Sequence, residues 1–213
     1  MLLAQYASGS LSPFFGALIE AHLEMREDSR RWIETVEACC GAILDSGDGV
    51  PLRDRDKTLE SIFARDDAES VVAKAGASKK PEGGSAVVLP ASVQQLLYCP
   101  FEDIPWKSGL PGMKTYRIAK DNGTHASLYW IKAGHTIPAH THEGLEATLV
   151  LSGGFADVNG HFVRGDIAIS DATVDHKPVV DADEDCVCLV VVDAPLRLTG
   201  PIGRLISPFL PKN

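Results

Sequence analysis

The first part of the chain carries apolar residues at helical spacing. From residue 11 to residue 25 they recur three or four positions apart, and Ser12-Pro13 supplies a helix start, with serine as the cap and proline in the first turn. A similar stripe runs over residues 32–43 and ends at the glycine-rich stretch SGDG, after which one further short helix is predicted. Residues 1–75 are therefore predicted to form a small α-helical domain.

From Val87 onward the apolar pattern changes. Short runs rich in β-branched and aromatic residues are separated by Gly, Pro, Asn and Asp at intervals of roughly 8 to 15 residues, which is typical of an antiparallel sandwich or barrel. Residues 87–213 are thus predicted to form a second, all-β domain. Between the two, residues 76–86 are small, polar and glycine-rich without an apolar period, and they predict a linker. The expected fold class is α+β, in two domains.

Composition and charge exclude several classes of function. The 213 residues carry a formal net charge of −9 and the pI is about 5.2. Proteins that follow phosphate backbones usually have a basic stripe, so we expect no direct DNA binding. The sequence has neither an apolar stretch of membrane-spanning length nor a basic and then apolar N-terminus, so we expect a cytoplasmic protein. Its five cysteines do not resemble an extracellular disulfide pattern, and reduced thiols are expected.

Two histidines and a glutamate in the segment HTHEGLE are placed for metal binding. His140 and His142 lie two positions apart, so in a strand both imidazoles point to the same face. Glu146 has the same parity and begins the next predicted strand after a short turn, which can return its carboxylate to the same point. Imidazole and carboxylate ligands suit Zn, Fe, Mn, Ni or Cu. His176, further along the chain, is a candidate fourth ligand.

This part of the chain resembles the cupin superfamily. In GHTIPAHTHEGLEATLVLSG, the glycines, proline, histidines and glutamate of the first cupin motif stand at the expected spacings. These residues are Gly134, Pro138, His140, His142, Glu146 and Gly153. The second motif is weaker: Gly165-Asp166 and His176 are in place, whereas the usual proline is replaced, with Val163 there, and the usual asparagine is Val180.

The cupin resemblance implies an antiparallel β-barrel, or jelly roll, that holds a metal ion. The implied ligands are His140, His142, Glu146 and His176. We expect one divalent ion per cupin, with zinc as the first choice and iron, manganese or nickel as alternatives.

A closer resemblance extends to ChrR-type anti-sigma factors and covers most of the chain outside the linker. It rests on LLAQYASGSL and AHLEM near the N-terminus, and on HEGLEATLVLSGGFAD, GDIAISD and DCVCLVVVDAPLRL in the β-rich part. The resemblance implies that the helical domain binds an extracytoplasmic-function (ECF) sigma factor. It also implies that the metal-bearing cupin is needed for release of that sigma factor when singlet oxygen or organic peroxide is present.

The helical domain departs from this family's pattern. The family binds zinc there through an upstream histidine and a His-x3-Cys-x2-Cys motif. His22 stands at the histidine of the motif, but Arg26 and Ser29 replace its cysteines, and Tyr6 is the residue near the upstream position. Because arginine does not ligate zinc, we expect no zinc in the N-terminal domain and expect apolar packing to hold its helices together.

Two pairs of cysteines have more than one interpretation. Cys39 and Cys40 are adjacent on a predicted helix and diverge by about 100°, which makes them poor joint ligands, so we expect small buried hydrophobic residues. Cys186 and Cys188 share one face of a strand at a separation of roughly 6.5 to 7 Å, which a relaxed disulfide spans only with local distortion. Packing in the core is one interpretation of this second pair. The family resemblance, which includes both cysteines, makes oxidant sensing the other.

Three functions fit the sequence. The first is a regulator in which the helices contact a sigma factor and the cupin senses an oxidant through its metal or through Cys186 and Cys188. The second is a dioxygenase- or isomerase-like cupin metalloenzyme, because three histidines and one glutamate leave positions open on a six-coordinate ion. The third is a metal-stabilised barrel without chemistry.

Two further features bear on this choice. A homodimer formed through the β-edges of the cupin is compatible with all three functions. An exposed apolar stripe on the N-terminal helices would favour the regulator, whereas packing of that stripe against the barrel would favour the enzyme.

Overall fold

The N-terminal part of the protein is helical in a computed structural model that describes residues 2–51, 53–64, 87–121 and 123–199. Its helices are α1 (Leu2–Ala7), α2 (Pro13–Met25), α3 (Glu27–Asp45), α4 (Arg55–Phe63) and α5 (Ala91–Gln95). Pro13 begins α2, as the sequence predicts, and Ser12 occupies the N-cap position, although its hydroxyl makes no capping hydrogen bond. None of the described helices is long and apolar enough to cross a membrane.

The remainder of the described chain is built from short strands. They are β1 (Lys107–Ser108), β2 (Met113–Asp121), β3 (Thr124–Ile131), β4 (His140–His142), β5 (Glu146–Ser152), β6 (Gly154–Asp157), β7 (Gly160–Val163), β8 (Ile167–Ser170), β9 (Val179–Val180), β10 (Cys186–Val192) and β11 (Leu196–Leu198). A six-stranded sheet has the order β1-β2-β3-β10-β5-β8, and smaller sheets have the orders β7-β6-β9 and β11-β4. Every pairing is antiparallel. The predicted α+β class with a C-terminal antiparallel barrel is confirmed.

The central strands β5 and β10 are buried on both faces. In each strand six of the seven residues are buried. Odd-numbered residues such as Leu149 and Leu189 belong to one hydrophobic cluster, and even-numbered residues such as Val150 and Val190 belong to another. The sheet therefore separates two cores, which explains why these strands are almost continuously apolar instead of alternating.

Helix α2 packs into the first of these two cores. Its buried residues Phe15, Leu18, Ile19 and Ala21 join the cluster that contains Leu149 and other residues of the sheet. In addition, both carboxylate oxygens of Glu24 accept hydrogen bonds from the first backbone N–H groups of α5, at 2.6 and 2.9 Å. Residues 1–34 and 87–213 accordingly form one compact unit.

Residues 35–86 form a second compact unit, whose described part contains the rest of α3 and all of α4. Neither α4 nor the part of α3 after Ile33 has a buried residue. The expectation that Cys39 and Cys40 are buried is wrong, because both are exposed. The predicted linker 76–86 lies outside the described residues, and the predicted domain boundaries at 75 and 87 stay a prediction.

Candidate metal centre

The four residues predicted to bind metal lie together inside the barrel. His140 and His142 are the two ends of β4, and Glu146 is the first residue of β5. His176 is held against His140 by a pair of reciprocal backbone hydrogen bonds of 3.0 Å each. All four side chains are buried, and one ligand atom from each lies within 4.8 Å of the others.

Three imidazoles converge through their ring nitrogens. Nε2 of His176 lies 3.0 Å from Nε2 of His140 and 3.2 Å from Nε2 of His142. The carboxylate of Glu146 approaches His142, with 3.6 Å between Oε2 and Nδ1. Ligand nitrogens about 2.0 Å from one metal ion lie roughly 3 Å apart, so these separations fit a shared ion.

The outer nitrogens of two of these rings determine where their protons lie. Nδ1 of His140 is 2.8 Å from the carbonyl oxygen of Pro138, and Nδ1 of His176 is 2.8 Å from Oδ2 of Asp157. Both partners only accept hydrogen bonds, so each Nδ1 carries a proton, and when the two rings bind as neutral ligands the lone pair of each Nε2 points towards the other. Two opposed lone pairs at 3.0 Å repel unless a cation lies between them. The residues therefore fit a metal ion.

The titration behaviour of the cluster agrees with this assignment. Burial, with the neighbouring His140 and His176, lowers the pKa of His142 to about 4. Burial also lowers the pKa of His140. His140 and His142 are thus held in the neutral form that binds metals. For Glu146, burial raises the pKa to about 7, against the opposing hydrogen bond from Thr148.

Asp157 is a functional candidate that sequence reasoning missed. Its side chain is fully buried (0 % exposed), and it accepts hydrogen bonds from Nδ1 of His176 and from the backbone N–H of Asn159, at 2.8 and 2.7 Å. A carboxylate behind a ligating histidine fixes the ring orientation and makes the ring a better ligand. In the sequence, DVNG reads as an ordinary turn, so no local pattern distinguishes this aspartate.

An apolar cavity of about 110 Å³ borders the cluster. His140, Glu146 and His176 contribute polar groups to its wall, and the rest is mainly apolar. The apolar part includes Met113, Ile131, Phe155, Ala168, Val180 and Val190. A small molecule in this cavity would lie beside any ion that the four residues bind.

Cys186 and Cys188 point into the barrel from β10. Both are buried, and their sulfur atoms lie 3.4 Å apart, much closer than the spacing of alternate residues along an extended strand. The hydrogen bond with Cys186, together with burial, raises the pKa of the Cys188 thiol. A thiolate is therefore disfavoured at Cys188. Cys188 nevertheless lines the same cavity as the metal cluster, which links the two sets of predicted site residues.

The residues at the positions of the family's N-terminal zinc motif contact other groups. His22 contacts the carbonyl oxygen of Gly165 and the hydroxyl of Ser29, at 2.7 and 2.8 Å, and Arg26 forms an ion pair with Asp166 at 2.6 Å. Within the described residues, the His140 cluster is the one group of acidic, histidine and cysteine side chains close enough to share an ion. The expected absence of zinc from the helical part stays a prediction.

A small antiparallel barrel with three histidines and one glutamate converging inside it defines this protein as a cupin. A family model described as the ChrR Cupin-like domain matches residues 94–195. The anti-sigma-E factor ChrR of Cereibacter sphaeroides is 31% identical over 208 residues, which cover 98% of this chain and 94% of that protein.

A solved structure supports the same relationship. The crystal structure of Rhodobacter sphaeroides SigE in complex with the anti-sigma ChrR matches with a TM-score of 0.71 and 29% identity, over 90% of this chain and 95% of that chain. The chain belongs to the ChrR family of anti-sigma factors, and the family resemblance predicted from the sequence is confirmed.

Proposed function

We propose that this protein sequesters an ECF sigma factor in the cytoplasm and releases it in response to an oxidant such as singlet oxygen or an organic peroxide. The similarity of nearly the whole chain to an anti-sigma factor carries the proposal. The net charge of −9 favours action through a protein partner, without direct contact to DNA.

The second unit of the protein has the surface that such a partner needs. Large apolar side chains are exposed on α3 and α4 and in the segment between them: Ile43 is 72%, Leu44 82%, Val50 91% and Phe63 82% exposed. Exposed apolar side chains in this number are typical of a protein interaction site. The feature favours the regulator, whereas the packing of α2 on the sheet is the arrangement expected of an enzyme.

The cupin is proposed to hold one divalent ion through His140, His142, Glu146 and His176. The ligands are buried, their neutral imidazoles are oriented by Pro138 and Asp157, and the ligand types suit zinc, iron, manganese or nickel. We favour zinc. When bound, the ion would supply a Lewis acid at the wall of the cavity and neutralise the buried charge of Glu146.

The proposed oxidant response uses the cavity beside the cluster. A small apolar oxidant that enters it would meet both the metal ligands and the Cys188 sulfur, which lies 3.4 Å from that of Cys186. Oxidation of the pair to a disulfide would transfer two electrons and two protons to a peroxide and give an alcohol and water. The raised pKa of the Cys188 thiol makes this reaction slow unless the environment of the pair changes.

The cavity also supports one alternative. An apolar cavity of about 110 Å³ with three ligating side chains in its wall is the arrangement of a small metalloenzyme site, of dioxygenase or isomerase type. Turnover of a small apolar substrate by the metal-loaded protein, together with failure to bind any sigma factor, would favour it. In either case we propose that the cupin forms a homodimer through its sheet edges, which light scattering on a sizing column would test.

The direct test of the main proposal is sigma-factor binding by the full-length protein. The purified, metal-loaded chain is titrated calorimetrically with each ECF sigma factor of its own organism, before and after treatment with singlet oxygen or organic hydroperoxide. One tight complex that weakens after treatment is expected. Failure to bind any of them would overturn the proposal, and a complex indifferent to both oxidants would overturn its sensing part.

A further inference from the structure

Two polar side chains at the end of α2 contact the turn between β7 and β8. His22 Nδ1 donates to the carbonyl oxygen of Gly165 at 2.7 Å, and Arg26 Nη2 donates to Oδ1 of Asp166 at 2.6 Å. The apolar side chains of α2 bury against the same sheet, but apolar burial has no preferred direction. These two hydrogen bonds require one position and one rotation of the helix. We name the four residues His22, Arg26, Gly165 and Asp166 the latch.

Gly165 permits the close approach that the latch needs. Its φ angle is +90°, and a Cβ atom at this position would lie 2.8 Å from Nε of Arg26. Any other residue would therefore combine an unfavourable backbone conformation with a clash against the arginine. The turn and the end of α2 therefore pack too closely to accept a side chain at position 165.

The latch also holds the corner between α2 and α3. Because Nδ1 of His22 donates to Gly165, its Nε2 carries a lone pair and accepts a hydrogen bond from the Ser29 hydroxyl, in the first turn of α3, at 2.8 Å. Burial lowers the pKa of His22, which favours this neutral ring. Arg26, the residue between the two helices, donates its backbone N–H to the carbonyl oxygen of His22 at 2.8 Å.

On its other side the latch is connected to the metal cluster by two strands. The backbone N–H of Gly165 donates to the carbonyl oxygen of Val150 at 2.8 Å, and the N–H of Val150 donates to that of Asp166 at 3.0 Å. Val150 lies on β5, whose first residue is Glu146, and β8 pairs Ser170 with Glu146. Four residues of strand span roughly 13 Å, so one hydrogen-bonded strand pair joins the cluster to the latch.

We propose that the latch transmits the state of the metal cluster to α2 and to the α2–α3 corner. Without an ion, the Nε2 lone pairs of His140 and His176 oppose each other at 3.0 Å, and the buried carboxylate of Glu146 lies 3.6 Å from Nδ1 of His142 with no cation between them. Both effects favour a displacement of the beginning of β5. The displacement reaches the turn through the paired strands, and the latch carries it to the helices. The inference rests on the proposed metal binding and does not require the sigma factor.

Hydrogen–deuterium exchange of the full-length protein tests the latch. Wild type and the variant His22→Gln/Arg26→Gln are compared with metal bound and after chelation. In wild type, chelation should accelerate exchange of β4 and β5, and of α2 by about fivefold or more, the lower end of usual coupling between sites. In the variant, the response of the strands should remain while α2 exchanges at one rate in both states.

Arg31→Ala is the matched control, because it removes an exposed arginine of α3 that pairs with Glu27 and is not one of the four latch residues. Its response to chelation should equal that of wild type. Gly165 is left unchanged because its own N–H donates to β5. Asp166→Asn instead provides a second, milder variant that weakens the latch from the barrel side. An α2 response that persists in both latch variants would overturn the proposal. Strands indifferent to chelation would instead contradict metal binding.

Discussion

The interior of the barrel is unusually polar for buried positions, whereas the surface of α3 and α4 is unusually apolar for exposed positions. The barrel buries three histidines and two carboxylates, those of Glu146 and Asp157, beside a mainly apolar cavity. The helical surface exposes Ile43, Leu44 and Phe63 to solvent. Buried ionisable groups cost free energy unless they are paired or bind an ion, and exposed apolar side chains are stabilised when a partner covers them.

The two regions suit different partners. The barrel suits a small cation, since a divalent ion would balance the two buried carboxylates and separate the opposed lone pairs. The helical surface suits a large apolar partner. A regulator that combines a small-molecule signal with a protein target would use the barrel for the signal and the helical surface for the target. We therefore expect that mutations can alter each of these two binding sites separately.

The largest effect is expected from removal of the metal ligands. The variant His140→Ala/His142→Ala should bind no metal, against one equivalent in wild type, by elemental analysis of untagged protein. Loss of an ion present at a thousand times its Kd lowers the free energy of unfolding by about 4 kcal/mol. The exposed His161, replaced by alanine, is the control. One equivalent of zinc retained in the double variant would point to a site in the helical part, contrary to expectation.

A negative charge on the exposed surface of α3 and α4 should weaken sigma-factor binding and leave the metal site unaffected. Leu44→Glu or Phe63→Glu is expected to weaken sigma-factor binding by about 2 kcal/mol or more, because a charge would be buried at the centre of an apolar contact. Metal content should not change. Val158→Glu, on a barrel residue that is 73% exposed, serves as the control. Full sigma affinity in both helical variants would remove this surface from the proposal.

A moderate effect is expected from Asp157→Asn. The amide keeps the size of the side chain but loses the charge that orients His176, so metal affinity should fall about 10- to 100-fold. Competition with a chelator of known affinity measures the change. The fold should be retained, because the backbone N–H of Asn159 still has an acceptor. Unchanged affinity would show that His176 needs no support from Asp157.

The smallest effect is expected at the cysteines of α3. Replacing Cys39 and Cys40 by serine should change the free energy of unfolding by no more than about 0.5 kcal/mol, as for most exposed positions. In native wild type, iodoacetamide should label these two thiols and leave Cys186 and Cys188 unmodified until the protein is denatured. Rapid native labelling of the buried pair, followed by peptide mass spectrometry, would contradict their burial.

Much of the metal cluster was predictable because its ligands are close in sequence. A two-residue spacing in a strand and a short turn bring His140, His142 and Glu146 together with little help from the rest of the chain. His176 was predicted through the cupin motif. Asp157 was missed because it lies on β6 and reaches His176, 19 residues away, only through the tertiary fold.

The exposure of Cys39 and Cys40 was predicted wrongly for a related reason. A helical stripe shows which face of α3 is apolar but not whether another element covers it. In the part of the chain that the structure describes, the stripe is covered at Ile33 and exposed at Ile43. Periodicity is a property of one element, whereas burial depends on its neighbours.

The sequence by itself determined the α+β class, the order of helices before strands, the cupin family and the four candidate ligands. These depend on interactions over a few residues, or on motifs whose spacing follows from the geometry of strands and turns. The tertiary structure alone decided that α2 packs on the barrel, that Asp157 orients His176, that the Cys186 and Cys188 sulfurs approach to 3.4 Å, and that Arg26 meets Asp166. Each of these contacts joins separate elements or depends on side-chain rotamers, which no local pattern specifies.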